Sequence, residues 1–242
     1  MTPSIPALEL QFRRQASELP TIEVQLGELF QFSQAVGPYS PLLREWYLTS
    51  DKGMKEALLY RAFDERGPTD AALAVLRTRT KGVKDIRSVS VWNGAENQEE
   101  GAVLSSRCNV FGRPDAVKFG LTLRPEVLDW KTPVQWIQAA VSIWPAQFAS
   151  FGPFWYSERA VFSDRPGVGW MLYLPKKLTV QQVPEARALV PVMNKNSEQI
   201  GTIIVSVTDA PFSLDNADHI KVANDIEIRL ADQDLLSRFA DL

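Results

Sequence analysis

The sequence predicts an α+β fold with largely antiparallel sheet, on three observations. Short strand-like segments come in two groups, each joined internally by brief turn-rich connections. Helical periodicity is confined to segments before, between and after those groups, the arrangement of α+β rather than alternating α/β chains. No fixed-period repeat, low-complexity tract or Gly/Ser linker interrupts the pattern. The expectation is one domain over residues 1–242, with two pseudo-related subdomains meeting near 125–150 as its internal variant.

Element by element, Leu8–Arg13 alternates loosely, as an edge strand does. Thr21–Val36 places Ile22, Leu26, Leu29 and Phe30 at helical spacing, and Gly37-Pro38 ends the run. Leu42–Thr49 is rich in strand formers and precedes an Asp51-Lys52-Gly53 turn. Ala71–Arg77 reads as a helix capped by Thr69 or Asp70. Ser88–Trp92, Val103–Val110 and Ala116–Leu123 then form a meander, turning at Gly94–Gly101 and at Phe111–Asp115. Thr132–Phe148 carries the strongest helical stripe, Val134, Ile137, Val141, Trp144 and Phe148, behind a Thr132–Gln135 capping box with Pro133 at the first helical position. Pro145 should kink that helix or end it early. It sits either between two subdomains or across one continuous sheet. A second meander follows: Trp155–Phe162, a turn at Ser163–Gly167 and Val168–Leu174 form one hairpin. Ala188–Met193 and Thr202–Thr208 form another around a polar loop. The segment from Asp215 reads as a helix, although Ile226, Ile228 and Leu230 alternate as a strand would.

Composition narrows the function classes. The 242 residues carry 26 Lys and Arg against 29 Asp and Glu, a net charge of −3. At 45% hydrophobic and 23% charged the chain is of ordinary globular type, not disordered or collagen-like. A pI near 5.4 argues against broad nonspecific nucleic-acid binding, which needs a strongly basic domain. The single cysteine, Cys108, excludes an internal disulfide framework and any multi-cysteine metal site. Met1–Leu10 lacks the basic-then-apolar pattern of a secretory signal, and no run approaches the ~18–20 apolar residues of a membrane helix. A cytoplasmic protein is the expectation.

Catalytic signatures are missing where the chemistry would need them. A Ser–His–Asp or Cys–His set would have to use the lone His219. No serine sits in a nucleophile elbow, and one His with one Cys cannot close a zinc site. Carboxylate-only magnesium or calcium binding stays open, without the twelve-residue calcium loop. Gly167 and Gly169 form a G-x-G that precedes a strand, so a hairpin turn explains it better than phosphate binding. Arg77, Arg79, Lys81, Lys84 and Arg87 make one basic stretch, read either as a helix C-terminus or as a phosphate contact. No cofactor is expected.

Tryptophan and acid stand out instead. Trp46, Trp92, Trp130, Trp136, Trp144, Trp155 and Trp170 make seven. Trp92 and Trp155 fall at strand ends, where an aromatic either covers a sheet corner or anchors a partner. From Asp215 to Leu242 seven acids face three bases, net −4, leaving the remainder at +1. The Gly94–Gly101 turn is a second acidic spot. Such charge suits a basic partner, because complementary fields speed and orient docking.

Four segments together, Leu42–Ser50 (LLREWYLTS), Ser88–Glu96 (SVSVWNGAE), Gly152–Pro175 and Asn216–Leu236, resemble a bacterial immunity-protein family, the one numbered fifty-two among polymorphic-toxin immunity proteins. The resemblance implies an α+β protein, not an enzyme, that binds and neutralises one cognate toxin delivered between bacteria, often by type VI secretion. It further implies a nuclease target of restriction-endonuclease fold, resembling a type VI DNase effector. Glu96, Glu99, Glu100, Asp225, Asp232 and Asp234 are the candidates for contacting that toxin by mimicking phosphate charge. The expected partner is therefore the toxin domain, held by a monomer, with no direct nucleic-acid or membrane contact. The competing readings are a hydrolase or nucleotide-handling enzyme with a carboxylate-bound metal, and a nucleic-acid-binding module built on Arg77–Arg87.

Overall fold

A computed structural model describes residues 5–14, 18–122 and 128–242, and among them the chain forms nine strands and five α-helices. Every strand pairing whose register is resolved is antiparallel, which establishes the α+β class. The chain divides into two compact units, Phe12–Leu123 and the pair of segments Met1–Gln11 and Arg124–Leu242.

The Phe12–Leu123 unit begins with α1 (Ile22–Val36), capped by Thr21, whose hydroxyl accepts from the Val24 N–H at 3.3 Å. Ile22, Leu26 and Leu29 of the stripe that the spacing predicts are buried, together with Phe32 and Val36, while Phe30 is only half-buried. Two short 3-10 turns lead to β2, which is only Tyr47–Leu48 where a strand over Leu42–Thr49 was expected. Pro41 starts a 3-10 turn, and the Trp46 indole donates back to the Leu43 carbonyl at 2.9 Å, curling the segment before it can extend. After α2 (Met54–Ala57) comes α3 (Asp70–Arg79), capped by Thr69 through its hydroxyl to the Ala72 N–H at 3.1 Å. Thr69→Ala should cost about 1 kcal/mol of unfolding free energy in denaturant titrations, the usual worth of such a cap.

The meander follows as β3 (Ile86–Trp92), β4 (Ala102–Asn109) and β5 (Asp115–Leu121), close to the predicted bounds; Leu123 lies outside the described residues. These strands pair in the order β2-β3-β4-β5. Alternation buries one face, with Val89, Val91, Leu104, Val117 and Phe119 inward. Phe119 meets Phe32 edge-on at 5.4 Å and Trp46 at 6.3 Å, which ties α1 and the segment before β2 to this face.

The other unit holds β1 (Pro6–Phe12, its last residue aside), α4 (Lys131–Ile143), β6 (Ala146–Pro153), β7 (Met171–Leu174), β8 (Ala188–Met193), β9 (Gln199–Val205) and α5 (Ala217–Asp232). Its strand order is β1-β6-β7-β9-β8. The helical stripe drawn to Phe148 is not followed to its end: the helix stops early, at Ile143, one of the two outcomes expected of Pro145, which bars a further turn and holds Trp144 extended at φ −115°, ψ 125°. Residues 146–153 are a strand instead. The predicted capping box is not used either: Asp129 accepts from the Lys131 N–H at 3.2 Å, so α4 starts one residue before Thr132.

The strand expected at Trp155–Phe162 is a 3-10 turn, Phe154–Glu158, followed by irregular chain, so β7 pairs with β6 and β9 rather than closing that hairpin. The β8–β9 hairpin forms, its second strand at Gln199–Val205 rather than the expected Thr202–Thr208. Trp136 meets Phe151 edge-on at 5.8 Å and Phe151 meets Trp170 tilted at 5.9 Å in the core of this unit, and the Trp170 indole donates to the Val207 carbonyl at 2.9 Å. Asn216 caps α5, its side chain accepting from the N–H groups of Asp218 and His219.

Candidate protein-docking surfaces

Three of the six acidic candidates share one loop. Glu96, Glu99 and Glu100 are exposed in the connection between β3 and β4. Asn93 shapes that loop: its amide donates to the Glu100 carbonyl and accepts from the Ala102 N–H, each at 2.9 Å. Asn97 accepts from the Glu99 N–H at 3.0 Å. Gly94 is at φ +72°, and a methyl group there would stand 2.8 Å from the Tyr47 ring, so the turn needs glycine for both reasons. No Lys or Arg occurs between Arg87 and Arg107, so this stretch of chain is acidic throughout.

The other three candidates lie on or just beyond α5, in the other unit. Asp225 is half-buried and pairs with Lys221 at 2.5 Å across one helical turn. Asp232 ends the helix and Asp234 follows it at φ 54°, both exposed. Asp232 faces the carbonyl end of α5, where the helix dipole opposes a negative charge. Arg229, on the same helix, pairs with Glu185 at 2.8 Å.

The seventh acid of interest was counted by the sequence as part of the acidic tail, and it is interior. Glu227 is 1% exposed. Its Oε1 accepts from the Tyr156 hydroxyl at 2.7 Å and the Val168 N–H at 2.8 Å, and its Oε2 accepts from the Val161 N–H at 2.8 Å. Burial pushes this carboxyl above its ordinary range, against the pull of the three hydrogen bonds. Burial beside that carboxylate also pushes the Tyr156 hydroxyl up. One side chain on α5 thus fastens three points of the 156–168 segment. Gly167 and Gly169 belong to the same arrangement rather than to a hairpin turn. The Tyr156 ring packs on both, and a methyl at Gly167 would stand 2.9 Å from it. Beside this fastening Phe154 and Trp155 project outward, 48% and 52% exposed, their rings perpendicular at 5.0 Å.

A second apolar surface lies on the outward face of the β2–β5 strands. Register aligns Tyr47, Trp92, Val103 and Gly120 in one row across four strands. The next outward rows hold Ser90, Ser105 and Lys118, then Ser88, Arg107 and Ala116. Val103 is 46% exposed. Row and acidic loop adjoin, because the loop leaves β3 at Trp92 and enters β4 at Ala102.

Other residues singled out by sequence have local roles. His219 accepts at Nδ1 from the Ser213 N–H at 3.0 Å and lies against Phe212, 5.5 Å between rings. Cys108 is buried, and desolvation pushes its thiol up, the opposite of an activated nucleophile. The basic stretch is dispersed: Arg77 pairs with Glu23 at 2.5 Å, Arg79 donates to the Thr49 carbonyl, and Arg87 is buried against Gln25 at 2.8 Å. Gln25 in turn donates to the Ser106 carbonyl at 3.0 Å, so Arg87 serves the α1–sheet junction rather than a phosphate. Among the described residues, no three of His, Cys, Asp and Glu gather as a metal-binding group. No helix among them is long and apolar enough to cross a membrane.

Comparison with known proteins supplies the context for these surfaces. A solved structure of T6SS protein PA0821 from Pseudomonas aeruginosa is similar at a TM-score of 0.51 and 10% identity, over 92% of this chain and 76% of that one. At that identity the likeness is one of fold. No curated protein matches the chain. The sequence profile of the family described as Immunity protein 52 matches residues 25–239, and on that extent this chain belongs to the Immunity protein 52 family.

Proposed function

We propose that this protein is a cytoplasmic antitoxin that binds one cognate toxin domain as a monomer, and that the toxin is a nuclease delivered by type VI secretion. Membership of an immunity-protein family carries the reading. The fold likeness to a protein named for that secretion system supports the delivery route. Exposed acid on the 94–101 loop and around the end of α5 supports a nuclease, because a surface built to hold polyanionic nucleic acid must be basic. On this reading Glu96, Glu99, Glu100, Asp225, Asp232 and Asp234 occupy the positions of phosphates and block substrate access. No catalytic step is assigned to the antitoxin itself.

The test is size-exclusion chromatography with light scattering on this protein and the toxin domain encoded beside its gene, with DNA cleavage assayed on the same samples. A one-to-one complex with cleavage abolished is expected. Free components with undiminished cleavage would overturn the reading. Within the complex, changing Asp232 and Asp234 to Lys should weaken affinity about tenfold at low salt and flatten its salt dependence, as loss of rim charges does. Unchanged low-salt affinity would remove those two residues from the contact and leave the antitoxin reading intact.

A further inference from the structure

We infer that the outward face of the β2–β5 strands, centred on the Tyr47–Trp92–Val103–Gly120 row, is the docking surface for the toxin domain. The segment seated there would carry an apolar side chain flanked by Lys or Arg. The inference rests on the antitoxin reading above and selects one surface for it.

Four observations carry it. The opposite face of these strands is occupied by α1, through Phe32 on Phe119 and Gln25 on Ser106, whereas the outward face carries the exposed Val103. In the rows beyond, Ser88, Ser90, Ser105 and Ala116 are small while Lys118 and Arg107 are the long side chains, and the apolar row ends at Gly120. The low relief at Ser90, Ser105 and Gly120 admits a partner's backbone or side chain close to the strands. The apolar content is concentrated at one end, where Trp92 and the 46% exposed Val103 are directly cross-strand. Large aromatic groups of this kind dominate the energetics of protein interfaces.

Charge identifies the occupant. The apolar row adjoins the loop bearing Glu96, Glu99 and Glu100, and the rows beyond it carry Lys118 and Arg107. A cationic group reaching the loop while an apolar anchor covers Val103 and Gly120 fits that order. A segment reversed end for end would set its cations against Lys118 and Arg107 instead. The face therefore encodes orientation as well as affinity. A neutral apolar partner would leave the exposed Glu96 and Glu100 carboxylates unmatched, and a polyanion would be repelled by the loop. A basic protein surface is the class that satisfies both parts.

The experiment uses the full chain and the purified toxin domain, with affinity measured by titration calorimetry and each variant's fold checked by thermal unfolding. Val103→Arg sets a long cation on the row, facing a cationic partner. It should weaken binding at least a hundredfold while the melting transition stays cooperative. Met193→Arg, at a 50% exposed position in the other unit on β8, which bears none of the acidic candidates, should bind within about twofold of wild type. Wild-type affinity for Val103→Arg, or an equal loss for Met193→Arg, would overturn the inference. Absence of any wild-type complex would overturn the antitoxin reading itself, and this inference with it. Amide hydrogen exchange on the wild-type complex is independent of how any variant folds. Residues 93–101 should gain protection on complex formation, and protection confined to other segments would overturn the placement.

Discussion

Replacing Glu227 by Gln should lower the unfolding free energy by about 3 kcal/mol, and Tyr156→Phe should lower it by about 1 kcal/mol. The carboxylate is an acceptor at both oxygens, to one hydroxyl and two backbone N–H groups. An amide of the same shape turns one of those oxygens into a donor, pointing it at a donor that cannot move away. A buried N–H left unpaired costs on the order of 1–3 kcal/mol, whereas Tyr156→Phe removes a donor and leaves the two N–H bonds in place. Denaturant unfolding of both single variants and the double variant checks this, and their coupling should be well above zero because the groups share one network.

The pH dependence follows from the direction of the Glu227 shift. Burial raises its value in the folded protein above the ordinary 4.5 of an unfolded chain. The folded state therefore binds this proton more tightly, and the contribution is complete below about pH 4.5. It is lost as pH rises through the raised value. Comparing wild type with Glu227→Gln cancels the other carboxylates, so the gap in stability between them should widen on acidification through that window. A gap that narrows instead would mean the three hydrogen bonds outweigh desolvation. The consequence reaches the surface, because the fastened segment includes the turn on which Phe154 and Trp155 stand.

Gly201→Ala should cost about 3 kcal/mol or more. The added methyl would overlap the Tyr173 ring and lie 2.5 Å from the Leu174 carbonyl oxygen. A ring can turn aside, but a carbonyl in a paired strand moves only if β7 and β9 separate. Thermal unfolding should show a melting temperature lower by about 6–12 °C, from the usual entropy of a chain this size. Combining it with Tyr173→Leu should restore little, because the ring is removed and the carbonyl remains. Full rescue would mean that the ring alone excludes a side chain at position 201.

The α-helices with local signals were legible in the chain. α1 follows from hydrophobic spacing ended by Gly37-Pro38, and α3 from an alanine- and leucine-rich run behind Thr69 or Asp70; the structure gives the caps to Thr21 and Thr69. The β3–β4–β5 meander and the β8–β9 hairpin were legible for the same reason, since alternation and turn residues act between neighbours in sequence. Segment 146–148 was misread because its apolar residues continue the helical stripe, while Pro145 had already ended the helix. Trp155–Phe162 was misread because its apolar positions suit a strand, yet Tyr156 is held inward by a residue 71 positions away.

Part of the candidate surface was legible too. Glu96, Glu99 and Glu100 lie in an unmistakable turn, and a turn exposes its charges. Composition could count the acids from Asp215 onward but could not separate Glu227 from Asp232. One helical position faces donors from the 156–168 segment and the other faces solvent, and only packing assigns them. The Tyr47–Trp92–Val103–Gly120 row has the same origin. Each residue's alternation was readable in its own strand, but the row exists because pairing registers four strands drawn from positions 47 to 120. The sequence by itself determined the secondary elements whose signals act over a few residues, together with the family. Only the tertiary structure decided which acid is buried and which side chains share a face, because long-range register and burial depend on groups distant in the chain.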